Sequence, residues 1–406
     1  MPEVNTDETI STTSSYANSD LALRTIKELG FSVFLRINVN EILYFKDYFS
    51  RLKEFLNHTI QVFGKDFVKD WHVLFYAPKE TKLDPLILED LYETLQGILK
   101  KKSAHIQLGV FLPFDEEKMT TVASHMWVLK KAHSIDFVSF DANRNTDINF
   151  DDTSDQNFIN SQNYHINKTK KLKQFLQKNG IRKPLFLDMW NTLTGDSRYI
   201  NGTFFRAALI FNTVIELSQE VQGLGFWINN EIHEHIHNRT DLVSDGLELF
   251  HYFNGKRPVY YAMFFKERLY GTILSEGENH LMTKNEDGYQ LAIFHERNFN
   301  PRYSVDELFL RQLSKELQVT LDSLDPGEYQ VTRFKFDRKN GALYDNLRKI
   351  NSKHGINQDV MKYIISTATP DVEIKDEIIN GKWSFYAYMD INSIHFIELK
   401  KIELDL

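Results

Sequence analysis

Short apolar runs and longer amphipathic stretches alternate along the chain from about residue 20 to 250. The short runs are FSVFLRIN (31–38), HVLFYAP (72–78), IQLGVFLP (106–113), IDFVSFDA (135–142), PLFLDMWN (184–191) and GFWINN (225–230). Between the first two lies EILYFKDYFSRLKEFLNHTIQVFG, where Phe45, Phe49, Leu52, Phe55 and Leu56 recur at three- and four-residue steps, the spacing of one helix face. Near-continuous apolar strands separated by helices predict a parallel sheet covered by helices. That pattern fits an open doubly wound sheet or most of an eight-stranded barrel. No strand is followed by G-x-G-x-x-G and no G-x-x-x-x-G-K-[ST] occurs, so dinucleotide and P-loop readings lose their support. The strands end in polar or aromatic residues, Asn38, Tyr76, Asp141, Asn191 and Asn229, as expected where the loops after the strands build a site. The expected fold is a TIM-type (β/α) barrel over residues 21–255, short of its first two strands.

Beyond residue 256 the pattern shortens. YQLAIFHERN (289–298), GEYQVTRFKFD (327–337) and WSFYAYMD (383–390) alternate with the turn signals Asp287-Gly288, Asp325-Pro326-Gly327 and Asn340-Gly341. Alternating strands joined by such turns predict an antiparallel β-sandwich domain over residues 256–406. Residues 1–20, MPEVNTDETISTTSSYANSD, lack both the basic and the apolar stretch of a signal peptide. Their Ser, Thr, Asn and Asp content predicts a flexible polar segment.

Composition narrows the function. The 406 residues include 48 Lys and Arg against 56 Asp and Glu, a formal net charge of -8, which is not the footprint of a surface that neutralises phosphates. Direct nucleic-acid binding by this chain is not expected. Cys is absent, which excludes disulfides and thiolate metal sites and leaves a cytoplasmic location as the default. No run reaches the 18 apolar residues of a membrane helix, so no membrane partner is expected.

At the later strands the sequence resembles glycoside hydrolase family 39, the β-xylosidase and α-iduronidase family. The stretch Asp188-Met189-Trp190-Asn191, followed by the helix FFRAALIFNTVIELS, is similar to the family's T-E-W-N strand with its nucleophilic glutamate. The strand from Ile135 to Asp141 is similar to the family's D-F-x-S-x-H strand, with Asp141 where a histidine is usual. The stretch from Phe250 to Ala262, the turn from Leu324 to Tyr329, and Asp337 to Tyr344 match the family's passage into its β domain and the pattern of that domain. The family's acid/base motif W-N-E-P aligns with Phe75-Tyr76-Ala77-Pro78. The resemblance covers roughly residues 20 to 400 and implies a xylosidase-type barrel and β domain, with Ala77 and Met189 at the two glutamate positions.

Retaining glycoside hydrolysis uses a nucleophilic carboxylate and a carboxylic acid about 5–5.5 Å apart. A methyl group and a thioether do neither job, so the resemblance implies a pseudoenzyme with no catalytic residues. If Met189 faces the barrel mouth, alternation along the strand turns Asp188 toward the helices. Glu80, Asp141, Asp196 and Glu231 remain as carboxylates that could stand in, which keeps a retaining β-glycosidase with relocated carboxylates open as the alternative.

Tyr76, Trp190 and Trp227 are candidates for an aromatic floor under a sugar, with Asn38, Asp141, Asn191 and Asn229 supplying hydrogen bonds. The competing reading is that these aromatics cap the barrel core. The run from Glu231 to His237 has histidines at two-residue steps, not the H-E-x-x-H helical spacing, so no metal and no cofactor is expected. Barrels of this type with damaged active sites also form the C-terminal half of large AraC-type transcription regulators, and the chain resembles such a half. The resemblance implies a ligand-sensing or scaffold role, a covalently attached helix-turn-helix head outside this chain, and a carbohydrate ligand or a homodimer as further partners.

Overall fold

The computed structural model describes residues 15–145, 163–194, 203–226, 248–251, 254–343, 346 and 357–402. Six strands form one sheet in chain order: β1 (Phe34–Asn38), β2 (His72–Tyr76), β3 (Gln107–Phe111), β4 (Val138–Asn145), β5 (Leu185–Thr194) and β6 (Gly223–Phe226). The pairings β1 to β2, β2 to β3 and β3 to β4 are parallel. Helices α2 (Tyr48–Phe63), α3 (Pro85–Lys102), α4 (Tyr164–Lys178) and α5 (Ala207–Ser218) lie between successive strands, and α1 (Ala17–Glu28) precedes β1. This is the expected (β/α) barrel, with six strands of its sheet among the described residues against the eight of a closed barrel.

The sheet curls. Strands β1 and β5 are not neighbours in it, yet Phe34 and Phe186 rings lie 5.5 Å apart and Arg36 bonds Asp188 at 2.7 Å. Contacts between strands so far apart in the order can only be made across a concave face. Phe34, His72, Phe137 and Phe186 fill one end of that face, and Leu74 packs with Phe111 and Phe137. The opposite face of the strands buries Val73, Phe75, Leu108, Val110 and Leu187 under the helices.

Two expectations need local correction. The segment 41–64 is two helices, Val39–Tyr44 and α2, because the backbone turns extended at Phe45, which stays exposed. Residues 17–20 begin α1 and are not part of a flexible segment. Asp20 bonds His58, and Tyr16 stacks on the same ring at 4.1 Å, which fixes that first turn on α2.

The second part of the chain is antiparallel. Strands β7 (Thr272–Gly277), β8 (His280–Asn285), β9 (Gly288–Phe294), β11 (Gly327–Phe336), β12 (Asp371–Ile379) and β14 (Ile394–Lys401) form a sheet in the order β7-β8-β9-β14-β11-β12. A ribbon of β10 (Lys315–Asp322) and β13 (Lys382–Met389) makes the second layer. Every other residue of β13 is buried, and Trp383, Phe385, Ala387 and Met389 join Tyr289, Leu291, Val331 and Leu399 in one core. The turn into β9 requires Gly288, whose φ is +134° and where a Cβ would meet Leu399 O at 2.0 Å.

The chain divides into two compact units, residues 1–141, 168–188 and 220–223, and residues 142–167, 189–219 and 224–406. The division does not fall at residue 255. Helix α5 packs on the antiparallel part through Phe211 against Phe294 at 5.3 Å, and Phe205 just before it meets Phe299 at 4.7 Å. Among the described residues no helix is long and apolar enough to cross a membrane.

Candidate functional site

The concave face of the first unit carries a polar cluster above its aromatic filling. On β1, Phe34 and Arg36 share the inward side while Ile37 is buried outward. Arg36 lays its guanidinium over the Tyr76 ring at 4.6 Å and donates from Nη2 to Asp188 Oδ2 at 2.7 Å. The arginine side chain is 37 % exposed and the aspartate 4 %. Burial pushes the Asp188 carboxyl up despite the pull of Arg36 and Ser139, and the nearby Asp141 charge adds to the rise. Burial also raises the Tyr76 phenol.

Asp188 therefore faces the barrel interior, the reverse of its expected direction. Strand alternation then turns Met189 to the other face of β5. The misreading came from treating Met189 as the inward residue; the fixed point is the Arg36 contact, which only an inward Asp188 can make.

Along the same face, Lys168 of α4 is nearly enclosed and reaches Glu116 at 3.6 Å and Asp141 at 4.0 Å. Ala77 is enclosed beyond the end of β2, and its carbonyl accepts from His125 Nε2 at 3.1 Å. Burial lowers the His125 pKa to about 4, so the ring is neutral, with Nδ1 left to accept from Ser124 Oγ at 3.0 Å. Asn38 caps the helix Val39–Tyr44 by accepting the Asn40 amide at 3.0 Å, and Glu80 is solvent-exposed.

In the second unit Trp190 is completely enclosed, edge-on to Phe226 and His165, each at 5.2 Å. Asn191 is completely enclosed too, its Oδ1 accepting the Thr192 amide at 2.7 Å and its carbonyl taking a bond from His165 Nε2 at 2.9 Å. Both are packed as core, the competing reading for strand-end aromatics and amides, and neither offers a surface to a ligand. Trp227, Asn229, Asp196, Glu231 and the histidine run to His237 lie outside the described residues.

Of the expected ligand residues, the first unit brings together Tyr76 and Asp141, with Asn38 engaged as a cap. Sequence reading missed Arg36, Asp188, Lys168 and Glu116. One signal was available: an arginine inside the apolar run FLRIN, at even spacing from Phe34, has to enter the barrel if Phe34 does.

No protein-family model matches the sequence. Over 385 residues the chain is 29% identical to an uncharacterized HTH-type transcriptional regulator of Staphylococcus aureus strain MSSA476, covering 94% of this chain and 49% of the relative. Another such regulator of Staphylococcus aureus is 32% identical over 268 residues, 66% of this chain and 36% of the relative. The chain thus spans about half the length, or less, of the curated relatives it matches. Its fold matches that of a monomeric β-xylosidase from Caulobacter crescentus CB15 with a TM-score of 0.77 at 14% identity, over 98% of this chain and 86% of the enzyme. A GH39 enzyme from Xanthomonas axonopodis pv. citri matches with a TM-score of 0.69 at 12% identity, over 88% and 73%.

Proposed function

From a chain with the fold of family 39 glycoside hydrolases and a sequence like one part of helix-turn-helix regulators, we infer a glycosidase-like regulatory domain that no longer hydrolyses. It senses a ligand or serves as a scaffold for a DNA-binding part outside these residues. The engagement of Asp188 supports this reading best. A carboxylate nucleophile must present an oxygen to the anomeric carbon and have an acid about 5–5.5 Å away. Asp188 is 4 % exposed and held by a guanidinium at 2.7 Å. Ala77, at the aligned acid position, donates no proton, and Met189, aligned by sequence with the nucleophile, is turned from the barrel interior and attacks nothing there. Loss of a proton donor alone removes about 10²–10⁴-fold in rate. The half-exposed Arg36 plane resting on Tyr76 still suits hydrogen bonding to the hydroxyls of a sugar.

One observation favours a second reading. Asp188 and Asp141 sit on neighbouring strands of the concave face, and the charge of one raises the pKa of the other. Two carboxyls on one concave face, one of them pushed up by burial, are the elements of a retaining pair, so a β-glycosidase with relocated carboxylates is the alternative.

The deciding experiment is thermal unfolding with a panel of mono- and disaccharides beside hydrolysis of p-nitrophenyl β-xyloside by the same sample. A sugar present at a hundred times its Kd adds about 2.7 kcal/mol of stability. A shift without turnover supports the sensor, and neither shift nor turnover supports the scaffold. Turnover that disappears in both Asp188→Asn and Asp141→Asn would replace the first reading with the second.

A further inference from the structure

The six-stranded antiparallel sheet ends in β7 on one side and β12 on the other, and the two edges are built differently. On β7 the pairing with β8 slips between Ile273 and Ser275, and a bulge of this kind twists an edge out of reach of another chain. On β12 all nine residues, Asp371–Ile379, stay in step with β11. Among the described residues no strand pairs with the far side of β12. The hydrogen-bond phase determines what that side offers. The carbonyl of Glu328 accepts from the Ile402 amide, which assigns the even-numbered residues of β11 to β14 and the odd-numbered ones to β12. Across the ladder the odd-numbered residues of β12 are therefore engaged, and Val372, Ile374, Asp376 and Ile378 turn their N–H and C=O to the open side.

The side chains of those four residues lie on the sheet face away from the β10–β13 ribbon, because Ile379, of opposite parity, belongs to the core between the layers. The helix Pro258–Arg268 covers that outer face over Phe334 of β11 and Phe396 of β14, through Phe264 and Phe265. One strand further out, Val372, Ile374 and Ile378 are 47 %, 61 % and 76 % exposed. A regular edge with free backbone groups and an apolar row is a template for another strand. Charge is the usual guard of such an edge, and here Glu373, Lys375 and Glu377 alternate in sign along its inner side. Alternating signs do not repel an antiparallel copy of themselves.

We propose that the β12 edge is the interface of a homodimer, in which two copies of this chain join their antiparallel sheets about a twofold axis at Ile374. Each Glu373 then stands opposite Lys375 of the other copy, Ile374 meets Ile374, and Val372 lies diagonal to Ile374 and Ile378. Glu373 is free to make that pair, being 59 % exposed and 4.0 Å from its own Lys375. Glu377 is held by Lys375 at 2.7 Å and by the Trp383 N–H, which balances its charge where it comes opposite Asp371. Neighbouring axes are worse: one at Lys375 sets lysine on lysine and Glu373 on Glu377, and one at Asp376 sets aspartate on aspartate. A twofold contact closes on itself, whereas adding β12 to β7 of another copy would run on into a filament, which the bulge of β7 opposes. The dimer gives the scaffold reading a partner, but it depends neither on a ligand nor on the lack of turnover.

Sedimentation equilibrium of the 406-residue chain should give a dimer. Glu373→Lys and Lys375→Glu each set like charges opposite one another twice, and each should raise the dimer dissociation constant at least about tenfold. The two substitutions together should restore it, a rescue that a merely structural role for either residue would not produce. The chain has no cysteine, so Ile374→Cys puts a single thiol on the axis. It faces its copy across a Cα separation of about 5.5 Å, within reach of a disulfide. Oxidation should give a cross-linked dimer on a non-reducing gel, while Ile273→Cys on the bulged edge should stay uncross-linked. A monomer at every concentration would overturn the proposal. So would a dimer that both single charge variants leave intact and that Ile374→Cys fails to cross-link.

Discussion

Arg257 with Glu248, and Arg36 with Asp188, are the same two chemical groups in different settings. The first pair, in the antiparallel unit, is closed on both sides, the arginine 3 % and the glutamate 2 % exposed. The second, on the concave face of the barrel sheet, is closed only on the aspartate side. An enclosed pair has no solvent to fall back on, so losing either charge is costly. A half-open pair leaves its arginine able to trade the carboxylate for water or for a ligand, and the aspartate bears the cost of burial. One is therefore a fastening and the other a contact that can be exchanged.

The largest effect should come from breaking the enclosed pair. Glu248→Ala removes an enclosed carboxylate partner from the buried Arg257 and should cost about 3–5 kcal/mol of unfolding free energy in urea titration. A cost under about 1 kcal/mol would mean that Arg257 finds water, and the contrast between the two regions would collapse.

Acid distinguishes them next, through His125, whose Nε2 bonds the carbonyl of Ala77 directly after Tyr76. Its pKa is lowered by burial to about 4 from an ordinary 6.5. A depressed pKa means that the folded state prefers the neutral ring. The stability this gives is complete above the unfolded value and is lost as pH falls from about 6.5 toward about 4. The linkage amounts to roughly 3 kcal/mol, at about 1.4 kcal/mol for each pH unit. Stability of the wild type measured at pH 7 and pH 4.5 should fall by more than that of His125→Gln, and parallel curves would show that His125 is solvated.

Much of this was legible from the sequence. All six barrel strands overlap the apolar runs, and β9, β11 and β13 coincide with the alternating ones, because burial on two faces or on one writes directly into the pattern. The site was legible only in part. Whether Asp188 or Met189 enters the barrel depends on a one-residue phase, and a motif alignment carries no phase by itself. The contact of Arg36 with Asp188 joins residues 152 apart and depends on the curl of the sheet, which no local spacing encodes. Trp190 and Asn191 looked like ligand groups because strand ends often bear them, but their burial is set by His165 and Phe226, distant in sequence.

The smallest effect sharpens the comparison most. Asp188→Asn keeps the shape of the side chain and removes its charge. Burial has already raised the carboxyl, so the ionised form is the less comfortable one in the fold, and Arg36 is exposed enough to be hydrated without it. The substitution should cost about 1 kcal/mol or less at pH 7, far below the loss of Glu248. A raised pKa gives stability that is present below the unfolded value and is lost as pH rises through the folded one. The wild type should therefore be at its best relative to Asp188→Asn near pH 4 and lose that advantage toward pH 7, opposite in sign to the His125 response. A cost at pH 7 as large as that of Glu248→Ala would make Arg36 and Asp188 a second fastening, and a ligand could then no longer be expected to displace the carboxylate.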